Sequence, residues 1–133
     1  MIRRVLLVEN DEDNICQVLA RILQGSGHEA DLATTLAGCM DAVRTRSTNV
    51  VLMITNNIHN PPAFEIAEAI RTLQPNCGFV FLAGSDQDGR EPFLAMGYEF
   101  RLYPFPMPIP ELLTLVSEAM ADPADTFVIP RKN

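Results

Sequence analysis

Val50-Val51-Leu52-Met53-Ile54 is an unbroken apolar run, three of its five residues β-branched, set between Asn49 and Thr55-Asn56-Asn57. It constrains the fold more than any other stretch. A run of this length and branching reads as a strand buried on both faces. Such a strand needs neighbours at both edges and helices above and below. Open α/β sheets bind ligands just outside the carboxyl ends of their central strands. Chemistry is therefore expected at Thr55, Asn56 and Asn57, which offer one hydroxyl and two amides. None is charged, and none is a good nucleophile or a strong Mg²⁺ ligand unaided.

The remaining elements follow from periodicity and punctuation. Val5 to Val8 is a second buried run, followed by Glu9-Asn10-Asp11-Glu12-Asp13-Asn14. Such an acidic cluster suits a helix N-terminus, with Asn10 or Asp11 as the cap. Ile15, Val18, Leu19, Ile22 and Leu23 give that helix an inward stripe, and Gly25 is its expected stop. His28 to Ala33 alternates weakly and reads as an edge strand. Thr35 to Arg46 reads as a helix with Leu36, Cys39, Met40 and Val43 inward. Pro61-Pro62 closes a loop, and the helix after it, through about Leu73, carries Phe64, Ala67, Ile70 and Leu73 on one face. Phe79 to Leu82 is a fourth strand, Ala83 to Gly89 a polar loop, Glu91 to Met96 a short helix and Phe100 to Tyr103 a fifth strand. Prolines 104, 106, 108 and 110 hold the next segment extended. Pro110 opens a last helix with Leu112, Leu113, Leu115, Val116, Ala119 and Met120.

Five strands alternating with five helices specify a doubly wound α/β fold. It is a five-stranded parallel sheet of flavodoxin-like (βα)5 type, order 2-1-3-4-5. Residues 1–121 make the domain, and 122–133 a C-terminal tail that is flexible or docked through Phe127-Val128-Ile129. With 133 residues, 47% of them hydrophobic, the chain can bury a real core. The net charge of −7 argues against nucleic acid and against an anionic membrane surface. No apolar run approaches the roughly 20 residues of a spanning helix. Val5 to Val8 is too short for a signal-peptide core, so the expected compartment is the cytoplasm. Cys16, Cys39 and Cys77 are far apart, and His28 and His59 stand alone. They are expected to be packing residues, with no zinc site.

In order and spacing, several stretches resemble the receiver domain of bacterial two-component response regulators, from about Arg3 to Met120. They are Val5-Leu6-Leu7-Val8-Glu9-Asn10, Asn49 to Ile54, and Phe64-Glu65-Ile66 with Ile70-Arg71. Ala95-Met96-Gly97-Tyr98, Tyr103-Pro104-Phe105 and Glu111-Leu112-Leu113 complete them. The resemblance implies five positions for phosphoryl chemistry. The acidic pair that holds Mg²⁺ falls on Glu9 and Asn10, and the phosphoacceptor Asp on Thr55. The hydroxyl that follows the phosphoryl group falls on Ala83, and the Lys that pairs with it on Tyr103. Only Glu9 keeps the needed chemistry. An acyl phosphate requires a carboxylate nucleophile, and Mg²⁺ prefers charged oxygen ligands. A phenol cannot neutralise transferred charge as an ammonium does. Thr55 is expected to fill a strand end, and Tyr103 to lay its ring over the vacated pocket.

The sequence thus points to a degenerate receiver. It is expected not to be an enzyme but a phosphorylation-independent protein-interaction module in bacterial signalling. No cofactor is required, and Mg²⁺ has only Glu9 and Asp11 as weak candidate ligands. The implied interaction surface holds Phe93, Leu94, Phe100, Leu113 and Met120. Its expected partner is a signalling protein, a histidine-kinase-related protein or a second copy of the chain. Two alternatives stay open. One is a ligand sensor whose crevice holds a small molecule through Asn10, Asn56, Asn57 and Ser85. The other is an unconventional response regulator phosphorylated on another acid, such as Asp11.

Overall fold

A computed structural model describes residues 3–8, 15–54, 63–83, 98–99, 102–104, 107–123 and 129–130. Strand β1 (Arg3–Val8), helix α1 (Ile15–Gly25), β2 (His28–Ala33), α2 (Leu36–Thr45), β3 (Val50–Ile54), α3 (Ala63–Leu73) and β4 (Gly78–Ala83) alternate strictly. Two short strands follow, β5 (Tyr98–Glu99) and β6 (Leu102–Pro104), then helix α4 (Ile109–Ala121) and strand β7 (Ile129–Pro130). Strands β2-β1-β3-β4 lie in that order, all parallel, and β6 joins beyond β4 in parallel register. This is a doubly wound α/β sheet of the flavodoxin-like kind.

The apolar runs work by sending alternate residues to opposite faces. Leu6, Val8, Val51, Met53, Phe79 and Phe81 meet Cys39 and Val43 of α2 and Ile66, Ala67 and Ile70 of α3. Phe79 and Phe81 stack with ring centroids 5.7 Å apart. Val5, Leu7, Val50, Leu52, Ile54, Val80 and Leu82 meet Leu19, Ala20 and Leu23 of α1 and Leu112, Val116 and Ala119 of α4. Every side chain of β3 is at most 4% exposed. A buried aliphatic side chain contributes about 1.5–3 kcal/mol, against about 0–1 for an exposed ion pair. The two apolar layers therefore outweigh the ion pairs of Arg4 with Glu29 and Asp31, and of Arg46 with Asp31, along the β2 edge. What those charges add is a polar margin on an edge that has no further strand beside it among the described residues.

The structure corrects several expected details. Val18 is 54% exposed. The buried arc of α1 is Leu19, Ala20 and Leu23, rotated toward Ala20, which leaves Val18 at the far border. Leu73 is 41% exposed because it ends α3, past the sheet; Ile66 takes its place in the core. Helix α1 does end at Gly25, as expected, and the left-handed residue of the turn after it is Gly27, at φ 91. The expected strand Phe100 to Tyr103 is in place a three-residue strand that runs through Pro104. An edge position tolerates that proline, since no neighbour needs its missing N–H. The described residues hold four helices; the expected short helix Glu91 to Met96 lies outside them. Helix α4 begins one residue before Pro110, with Pro108 accepting from the Glu111 and Leu112 N–H groups. Helix α2 is capped by Thr35, whose Oγ1 accepts from the Gly38 N–H at 3.0 Å. No described helix is long and apolar enough to cross a membrane.

The opposite end of the sheet from the crevice is tied by one side chain. The Arg4 N–H donates to Asn49 Oδ1 at 2.8 Å, and the Asn49 N–H donates to the Arg4 carbonyl at 2.9 Å. The Gly78 N–H donates to the Asn49 carbonyl at 2.9 Å. Asn49 thereby ties β1 and β4 to the start of β3. Next to it, the hydroxyl of Thr48 is buried with no hydrogen-bond partner among the described residues.

Two outcomes are expected. A Cβ at Gly78 would meet the Ala119 carbonyl oxygen at 2.3 Å, so helix α4 packs on bare backbone there. Gly78→Ala should lower stability by about 1–3 kcal/mol in urea unfolding, the usual effect of overpacking. An unchanged midpoint would mean that α4 lies farther from β4. Thr48→Val removes a buried hydroxyl that gains nothing, and should leave stability unchanged or raise it by about 1 kcal/mol. A loss of that size would reveal a partner for the hydroxyl.

Candidate functional site

The register of the sheet gathers the carboxyl ends of four strands. Val8 pairs with Met53, Ile54 with Leu82, Leu82 with Tyr103 and Ala83 with Pro104. Val8, Ile54 and Ala83 thus end their strands along the same edge of the sheet. This is where open parallel sheets bind ligands. Glu9, Asn10, Asp11, Thr55, Asn56, Asn57 and Ser85 lie outside the described residues, as do Phe93, Leu94 and Phe100. Ala83 ends β4, and Tyr103 is the middle residue of β6.

Tyr103 is the candidate whose side chain can be followed. It shares a face with Leu82 and is half-buried against the layer formed by α1 and α4. An ammonium at the same place would lose hydration against that layer, whereas a phenol ring contributes area to it. The position that the resemblance gives to a phosphate-pairing Lys is therefore a packing position here. Met107, just ahead of α4, joins the same layer.

Leu113 and Met120 are also half-buried against that layer. Met120 Sδ in addition accepts from Arg3 Nη1 at 3.7 Å. Of the large apolar side chains on α4, the exposed one is Ile109, at 40%. Sequence reasoning passed over it, although its place between Pro108 and Pro110, at the first turn of the helix, was the available signal. It also passed over Leu32, 47% exposed on the edge strand.

Cys39 and Cys77 have both thiols buried. Burial pushes Cys39 from an ordinary 9.0 up to about 11. It pushes Cys77 up to about 12, partly opposed by a backbone hydrogen bond from Val51. Nucleophilic chemistry needs the thiolate, which burial suppresses. These two cysteines are core residues.

Among the comparisons with known proteins, those with solved structures speak to architecture. No family model matches the chain, and no curated protein matches it. Solved structures do. A CheY-like response regulator receiver domain protein from Methanospirillum hungatei JF-1 superposes with a TM-score of 0.76 at 19% identity, over 92% of this chain and 96% of that one. The response regulator TrrA of Thermotoga maritima gives 0.69 at 19% identity, over 87% and 97%. The NtrC4 receiver domain gives 0.72 at 19% identity, over 90% and 97%. The fold is that of receiver domains.

The two thiols carry a pH prediction. Above pH 9 the unfolded chain sheds protons that the folded chain keeps, up to about 11 for Cys39 and about 12 for Cys77. Their contribution to stability is complete below pH 9 and is lost as pH rises through that window. Each thiol steepens the rise of the unfolding constant by up to about tenfold per pH unit. Cys77→Ala should unfold with a shallower pH dependence above pH 9 than the natural chain. Equal slopes would show that another group titrates.

Proposed function

We propose that this protein is a receiver-like signalling module that works without phosphorylation, through protein contacts. The observation that carries the reading is Tyr103. The receiver fold is kept, yet its phosphate-pairing position holds a phenol packed into the layer of α1 and α4. The sequence at the neighbouring positions agrees: Thr55 replaces the acceptor carboxylate, Asn10 one metal-binding acid and Ala83 the hydroxyl. A site without acceptor, counter-charge or switch hydroxyl has no acyl phosphate to form or to sense. Any regulation must then come from binding.

The surface for that binding is assigned to Phe93, Leu94, Phe100, Leu113 and Met120, with Ile109 added at the start of α4. Ile109 is 40% exposed, and Leu113 and Met120, farther along the same helix, are partly buried against the core. Exposed apolar groups on one helix favour a protein partner. The partner is taken to be a cytoplasmic signalling protein, a relative of the histidine kinases or a second copy. One similar receiver domain, NtrC4, is a beryllofluoride-activated dimer.

The test is an amide-shift titration with millimolar Mg²⁺ and beryllofluoride, an aspartyl phosphate mimic. TrrA, solved in complex with Mg²⁺-BeF, serves as the positive control. The amides of Val8, Ile54, Ala83 and Tyr103 should stay still in this protein while those of TrrA move. Saturable shifts at the crevice would replace the proposal with a metal- or anion-regulated switch.

A further inference from the structure

The C-terminal segment adds a strand outside the main sheet. Ile129 pairs with Glu99 and Pro130 with Tyr98, antiparallel, as a two-stranded sheet of its own. Tyr98–Glu99 precedes β6 by two residues, so the tail fastens onto the chain just before it enters the edge of the main sheet. The fastening is short. It spans two residue pairs, and Pro130 has no N–H to extend the ladder. Two-stranded pieces of this size are marginal by themselves.

We propose that this segment is an exchangeable strap. It closes on Tyr98–Glu99 of its own chain, and the same strand of a second copy can take its place. The argument is one of identity. The strand that fits this edge is encoded in every copy, so exchange needs no new surface, and two reciprocal pairings close around a two-fold axis. The length of the connection sets how near the second copy must come. Residues 122–128 lie between the end of α4 and β7, and seven residues reach at most about 25 Å. A weakly held strand on a short connection is the usual setting for such exchange. The proposal deepens the interaction reading above, and rests on it, by naming a second copy as the partner and the strap as the contact.

Cross-linking of the full chain tests it. Opposed residues in an antiparallel ladder have Cα atoms about 4.5–5.5 Å apart, inside the disulfide range of roughly 4.4–6.8 Å. The double variant Glu99→Cys with Ile129→Cys, oxidised in dilute solution, should give a monomer with a 99–129 disulfide. Glu99→Cys chains equilibrated at high concentration with Ile129→Cys chains, then oxidised, should give a covalent dimer joined by the same bond. Neither single variant alone should form that bond, which peptide mapping distinguishes from links to Cys16, Cys39 or Cys77. Absence of the bond in the double variant would overturn the strap. Its presence there, with no 99–129 dimer from the mixed chains, would overturn the exchange. The readout is blind to the crevice, so it can fail while the Mg²⁺ and beryllofluoride titration succeeds, and the reverse.

Discussion

Burial of β3 on both faces and along both edges is the constraint on which the structure depends. Five side chains, none more than 4% exposed, must all find apolar neighbours, and the strand's amides must all find strands. Parallel strands β1 and β4 meet the second need. Helices α2 and α3 on one face, and α1 and α4 on the other, meet the first. Once the central strand is satisfied, little freedom remains. The weaker strands go outward, β2 with its charges at one edge and short β6 with its proline at the other.

This separates what holds the fold from what stands at the crevice. The residues that fix the sheet are the apolar alternation below the rim and the hydrogen bonds at the opposite end. The five positions that the resemblance gives to phosphoryl transfer follow or end strands, and the two apolar layers do not need a charge at any of them. Tyr103 goes further, since its ring joins a layer that a Lys would have had to leave for water.

Much of the fold was legible because it rests on runs and periods. The apolar runs Val5 to Val8, Val50 to Ile54 and Phe79 to Leu82 are strands in the structure, and β2-β1-β3-β4 stand in the expected order. What was not legible depends on geometry between elements. Val18 fits a helical stripe as well as Leu19 does; only the tilt of α1 on the sheet exposes one and buries the other. The strand pairing of Ile129–Pro130 has no periodic signature, because two residues carry no period. At the candidate site the missing charges at Asn10 and Thr55, and the missing hydroxyl at Ala83, are visible in sequence alone. The packing of Tyr103 is not, because a ring at a strand end can face the crevice or the core.

Asn49 looks in the sequence like a turn residue and in the structure like a clamp, but its effect is one of measurement. From that residue upward, β3 runs five residues to Ile54, and the register carries β1 to Val8 and β4 to Ala83. The height of each strand at the crevice is counted from the far end of the domain. Asn49 is thus a datum level for the rim, about five strand residues or roughly 17 Å away. The strand ends at the candidate site are thus levelled from the opposite end of the sheet.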